Sequence, residues 1–171
     1  ANGFDLEGVT ARDAHTPRSW VRYYANGERD EWPQFGDQHF ALMESLASAL
    51  PPAYRSAKGL YIFRNHAPAF WASLRELPLR PAQVILWEIA ANAALPELRP
   101  QIAANLQLVD ILSINRTEAL RLYATGTVED ALLAAHADGA RVAVLRMGGD
   151  GAVAYDGAQF VHIPAALAEL R

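Results

Sequence analysis

Four short, almost wholly apolar segments recur through the chain, with stretches of helical character between them. They are Gly59 to Phe63, Gln83 to Trp87, Val109 to Ile114 and Arg141 to Arg146. The helical stretches lie near Pro68 to Glu76, Pro96 to Asn105, Arg116 to Tyr123 and Val128 to Ala137. Strands that are apolar nearly throughout are expected to be buried on both faces, as in a parallel sheet covered by helices. The alternation is that of an α/β fold, with right-handed crossovers as the default. After the fourth strand no helix follows. Ala152 to Tyr155, Asp156-Gly157 and Ala158 to Ile163 read instead as a hairpin.

The first third differs. Ser19 to Ala25 is rich in aromatic and β-branched residues, and Asn26-Gly27 is a strong hairpin signal. The return strand is expected over Glu28 to Trp32, ended by Pro33. Asp37 is placed to cap a helix running to about Ala49, with Phe40, Met43, Leu46, Ala47 and Leu50 at helical spacing. Pro51-Pro52 stops it.

Composition narrows the function. The 171 residues fit one domain, here read as 1–171 with a hairpin at 18–33 and an α/β core at 58–166. The net charge of −4 argues against a nucleic-acid surface, where a basic stripe is expected. No apolar run approaches the length that crosses a bilayer, so no membrane association is expected. Cysteine is absent, which excludes disulfides and thiolate metal sites and is compatible with the expected cytoplasmic location. The five histidines do not pair at metal-ligand spacing, and Gly-x-Ser-x-Gly is missing.

Ligands of open α/β sheets bind beyond the carboxyl ends of the strands. Polar residues stand there at every strand: Arg64, Asn65 and His66; Glu88; Asn115 with Glu118; then Gly148, Gly149, Asp150 and Gly151. Asn115-Arg116-Thr117-Glu118 admits two readings. One is a capping box, in which Glu118 returns to the cap amide. The other is a carboxylate beside a helix N-terminus that holds a hydrated Mg²⁺. The Gly148–Gly151 turn permits close approach of a ligand to the backbone, and its amides can meet phosphate oxygens. A plain tight turn is the alternative. The spacing is not the dinucleotide fingerprint. Gly-Gly-Asp-Gly also occurs in NAD kinases and diacylglycerol kinases, but here a hairpin continues the chain.

Val109 to Ala119, a strand leading into Asn-x-x-Glu, resembles a stretch of the ribokinase-like (PfkB) carbohydrate kinases. Val142 to Ala152 is similar to that family's strand leading into Gly-x-x-Gly-Ala. Tyr155-Asp156-Gly157 and His162-Ile163-Pro164-Ala165 resemble its hairpin. Gly8-Val9, Thr16-Pro17 and the Val21-to-Arg29 hairpin are similar to the β lid over the sugar.

The resemblance implies a three-layer α/β sheet with helices on both faces and a small hairpin lid. It implies transfer of the γ-phosphoryl group of ATP to a sugar hydroxyl with Mg²⁺. An isolated hairpin is marginal in water, so Trp20, Tyr23 and Trp32 are expected to rest on the sugar site as a lid, on a second subunit in a homodimer, or on their own domain. Asn115 and Glu118 fall on the motif that organises Mg²⁺ and phosphates, with Glu118 acting on the metal through water. Gly148 and Gly151 fall on the nucleotide turn. Arg146 stands where a Thr is usual, and its guanidinium can meet a phosphate. No family motif names Glu88. The family's first strand with its Gly-Gly motif, and the later Asp-Thr-x-Gly-Ala-Gly-Asp segment with the catalytic Asp, have no counterpart in 1–171. Asp150 lies in the other glycine turn and does not replace that Asp. The expectation is an incomplete part of a longer kinase, inactive alone. A noncatalytic nucleotide- or sugar-binding module, or an unrelated α/β ligand-binding domain, are the alternatives.

Overall fold

The computed structural model describes residues 3, 5–10, 18–24, 29–36, 38, 42, 44–79 and 83–166. Two sheets form. The first is the expected hairpin, β1 (Ser19–Tyr23) antiparallel to β2 (Arg29–Pro33), with Trp20 opposite Trp32. Its Asn26-Gly27 turn lies outside the described residues.

The second sheet has six strands in sequence order. These are β3 (Gly59–Phe63), β4 (Val84–Glu88), β5 (Ile111–Asn115), β6 (Val142–Arg146), β7 (Ala152–Tyr155) and β8 (Phe160–Ile163). β3 to β6 are parallel, and β6, β7 and β8 are antiparallel. The change has a simple cause. Met147–Gly151 is too short for a crossover, so β7 can only return alongside β6.

The parallel strands are joined through α1 (Pro68–Arg75), α2 (Arg99–Leu106), α3 (Arg116–Tyr123) and α4 (Val128–Ala137). Pro68 starts α1, where a missing N–H costs nothing. Thr127 caps α4 by accepting from the Asp130 N–H at 3.1 Å. Ala124, at φ 51°, ends α3 in the left-handed conformation.

The strand alternation decides where the core sits. Ile62, Trp87, Leu112, Ile114, Ala143, Leu145 and Val153 point to one face and are buried. They form one cluster with Trp71 and Leu74 of α1, Ile102 and Leu106 of α2, Leu122 of α3 and Leu132 of α4. The Trp71 and Trp87 rings lie 4.5 Å apart, and Trp71 Nε1 donates to the Asn65 carbonyl at 3.2 Å. On the opposite face Tyr61, Phe63, Val84, Val161 and Ile163 are exposed. Among the described residues the strands are therefore well covered on one face only. Successive right-handed crossovers that step in one direction put every helix on the same side.

The helix expected from Asp37 to Ala49 is met only at its start: Gln38 is helical and its carbonyl accepts from the Leu42 N–H at 3.1 Å, but the helix does not reach Ala49. Asp37, Phe40 and Met43 lie outside the described residues. Glu44–Leu46 is not helical, and Ala47–Ala49 is a single 3₁₀ turn. The Ala47 N–H donates to Ser73 Oγ of α1 at 2.9 Å, so a tertiary contact decides this backbone. No described helix is long and apolar enough to cross a membrane.

Candidate functional site at the carboxyl ends of the strands

Parallel pairing brings the ends of β3, β4, β5 and β6 to one edge of the sheet. The ladder sets Asn115 directly beside Arg146, and Glu88 beside Ser113. Asn115 leaves β5 in an extended conformation and becomes the cap of α3. Its Oδ1 accepts from the Glu118 N–H at 2.9 Å, and its own N–H donates to Glu118 Oε2 at 3.2 Å. Both halves of the capping box are present. The box uses Oε2 and leaves Oε1 outside it.

Burial raises the Glu118 pKa above the ordinary carboxylate value. The Asn115 backbone hydrogen bond and Arg146 oppose the rise, and the neighbouring Glu88 adds to it. The site thus holds a carboxylate whose charge is poorly solvated, at the positive end of a helix. A hard cation would relieve that cost. Mg²⁺ suits the donor set, since it takes one or two carboxylates and retains several waters. No group of three or more His, Cys, Asp or Glu gathers among the described residues.

Arg146 ends β6 and reaches across β5 to Glu88, with Nη2 to Oε1 at 2.7 Å. The Tyr61 hydroxyl donates to the other Glu88 oxygen, Oε2, at 2.5 Å. Arg116, the first residue of α3, pairs with Asp150 at 2.5 Å and also donates to the Met147 carbonyl at 3.4 Å. This pair ties the Asn-x-x-Glu motif to the glycine turn and engages the Asp150 carboxylate.

The glycines of the turn differ in what surrounds them. At Gly148 (φ +61°) and at Gly149 nothing lies within 4 Å of where a Cβ would stand. At Gly151 (φ +84°) a Cβ would come within 2.0 Å of the Ile163 carbonyl oxygen and 2.8 Å of the Ala165 nitrogen. The space at Gly148 is open to a ligand, whereas that at Gly151 is filled by the chain's own return from β8.

Asn115, Glu118, Arg146 and Gly148 are thus brought together, with Gly151 beneath the turn. The polar residues after β3 are used differently. Asn65 is buried and bonds the Ser45 carbonyl and the Ala67 N–H, each at 3.2 Å. The His66 carbonyl accepts from Gln101 Nε2 at 2.6 Å. These contacts hold the loop. Sequence reasoning noted Glu88 but attached no partner to it, and did not find Tyr61. A strand-end position was visible, but a pairing across three strands requires the register.

Residues 87–169 match the model of the pfkB family carbohydrate kinases. No curated protein matches the chain. Among solved structures, the adenosine kinase of Sinorhizobium meliloti is similar, at TM-score 0.68 and 20% identity over 90% of this chain and 48% of that one. A fructokinase of Vibrio cholerae O395, solved with fructose, ADP and calcium, gives 0.61 and 14% over 92% and 54%. An E. coli protein described as a ribokinase II, solved with ATP and Mg²⁺, gives 0.59 and 19% over 90% and 51%. The chain spans about half the length of the solved structures it matches. The shared architecture is the ribokinase-like α/β fold with its small hairpin sheet.

Proposed function

We propose that this chain, which belongs to the pfkB family of carbohydrate kinases through residues 87–169, forms the metal- and nucleotide-binding part of a phosphotransferase that moves the γ-phosphoryl group of ATP to a sugar hydroxyl. The observation that carries the reading is the meeting of the Asn115–Glu118 box, Arg146 and the open Gly148 turn on adjacent strand ends.

In this reading Mg²⁺ neutralises charge on the phosphates, which is the main electrostatic need of phosphoryl transfer. Glu118 would hold it through water, with Oε2 kept by the cap. Asn115 orients Glu118 through the two reciprocal hydrogen bonds. The Gly148 turn offers backbone to the phosphates. Arg146 supplies a guanidinium fork beside them. We assign no general base among residues 1–171. The acceptor is a sugar or the sugar of a nucleoside, the two acceptor types named for the similar structures above.

The test is an assay of ADP formation by the protein expressed from its complete coding sequence, with a panel of sugars and nucleosides. Acceptor-dependent ADP formation is expected with at least one of them. Nucleotide binding without turnover on any acceptor would point instead to a noncatalytic module.

The β1–β2 hairpin bears on the acceptor. A two-stranded sheet is marginal alone in water. Trp20, at 78% exposure, and Tyr23 present bare aromatic surface, and Arg22 lies over the Trp32 ring at 5.5 Å. We place this surface over the acceptor as a lid or against the hairpin of a second copy. As a lid, the hairpin is expected to slow its amide exchange on adding the true acceptor; packed on a second copy, it is expected to give a dimer in light scattering. A monomer whose hairpin exchange ignores the acceptor would refute both uses.

A further inference from the structure

Glu88 has no place in the motifs that define the site, yet its carboxylate is the most fully engaged there. Each oxygen has one partner: Arg146 on Oε1 and Tyr61 on Oε2. The three residues come from β4, β6 and β3, so the contact spans four neighbouring strands. Neighbouring strands lie about 4.8 Å apart, and two such steps separate Glu88 from Arg146. Only long side chains bridge that distance, and they do so over β5 at the Ser113–Asn115 end. The Glu88 side chain is 18% exposed and that of Arg146 is 43% exposed. The pair is therefore anchored at the carboxylate and open at the guanidinium.

Arginine has five donors in a rigid plane, and Glu88 uses one face of that fork. The remaining donors stand beside Asn115, where the metal and phosphates are placed under the proposed function. An unanchored arginine would lose rotamer freedom on meeting a phosphate, and a prior anchor removes part of that cost. Tyr61 acts one step further back, because it prevents the carboxylate from rotating. Burial and the Glu88 bond raise the Tyr61 pKa, so the hydroxyl remains a donor near neutrality.

We propose that Glu88 is a positioning residue for Arg146, steadied by Tyr61, and that the guanidinium so placed takes a phosphate oxygen of the bound nucleotide. The proposal rests on the nucleotide-site reading above and adds a specific route to affinity.

The test is calorimetric titration of ATP into the complete protein, with and without Mg²⁺, alongside thermal melting. Glu88→Gln is expected to weaken ATP binding roughly 10-fold, and Tyr61→Phe roughly 3-fold in the same direction. Arg146→Ala is expected to match Glu88→Gln, and the double variant to bind no more weakly than Arg146→Ala alone, because the two act as one unit. Arg146→Lys is not expected to restore affinity, since lysine lacks the fork. The Glu88→Gln effect should persist in chelator. Unchanged affinity with a lowered melting temperature would make the pair merely structural. Tighter binding in Glu88→Gln would mean that Glu88 holds Arg146 away from phosphate. An effect that vanishes in chelator would mean Glu88 works through the metal. Each of these overturns the proposal. If the unmodified protein binds no ATP at all, the nucleotide-site reading itself fails.

Discussion

Under the proposed function, Glu118→Gln is expected to lower turnover roughly 10-fold or more, about 1.4 kcal/mol of barrier, and to raise the Mg²⁺ concentration needed for half-maximal rate. The substitution is chosen because the structure gives Glu118 two duties. As the third helical residue it closes the capping box with Asn115. Glutamine performs that duty as well as glutamate does. Only the charge is lost, so a folding role and a metal role separate in one variant.

The raised pKa sharpens the test. A carboxyl group whose folded pKa lies above its unfolded value favours the folded state at pH below the unfolded value, and that contribution is lost as pH rises through the folded value. At neutral pH the metal-free protein therefore carries an unfavourable charge at Glu118. The glutamine variant should melt at the same temperature as the parent or slightly higher. Bound Mg²⁺ must displace the proton, so Mg²⁺ affinity should fall as pH is lowered through the raised pKa. The glutamine variant should lose that pH dependence. Normal rates at low Mg²⁺ in the variant would leave Glu118 a helix cap only.

Gly151→Ala is expected to destabilise the protein by about 2–4 kcal/mol, the sum of a glycine-only backbone conformation and an overpacked contact. The residue has φ 84° and ψ −134°. A Cβ would overlap the Ile163 carbonyl oxygen at 2.0 Å and press on Pro164 and Ala165, all backbone atoms that cannot swing aside. For a chain of this size the melting temperature should fall by roughly 4–16 °C. Gly149→Ala is the control. It lies two positions earlier in the same turn, outside the positive-φ region and with nothing within 4 Å of where a Cβ would stand. Its stability should change by less than about 0.5 kcal/mol. Urea denaturation of both variants without nucleotide measures the difference. Equal stabilities would show that the segment after β8 does not depend on Gly151.

Periodicity was sufficient for most of the α/β framework. β3, α3 and α4 begin and end where the apolar spacing places them. The remaining strands shift by only one or two residues. Local chemistry carried these elements: a proline at the first turn of α1, an Asn-x-x-Glu box at α3 and a Thr cap at α4. The expected helix over 37–49 had a cap at Asp37 and helical spacing, yet only its start, at Gln38, is helical among the described residues, and its end yielded to docking of Ala47 on α1.

The site divides along the same line. Asn115, Glu118, Arg146 and the glycine turn were legible because each lies within a few residues of its own strand end. Their charges and backbone freedom are local properties. The link between Glu88, Arg146 and Tyr61 was not legible. It depends on strand order and on the register across β3, β4, β5 and β6, which no window of sequence contains. The difference between Gly148 and Gly151 was hidden for the same reason. Both letters permit positive φ, and only the return of Ile163 to Ala165 over the turn makes one space open and the other full. The sequence by itself determined which residues could do chemistry and on which element each would sit, because capping, turn geometry and hydrophobic period act over a few residues. Tertiary structure alone decided which of them face one another and what fills the gaps between them, because those contacts join residues distant in the chain, such as Gly151 with Ile163, Tyr61 with Glu88 and Glu88 with Arg146.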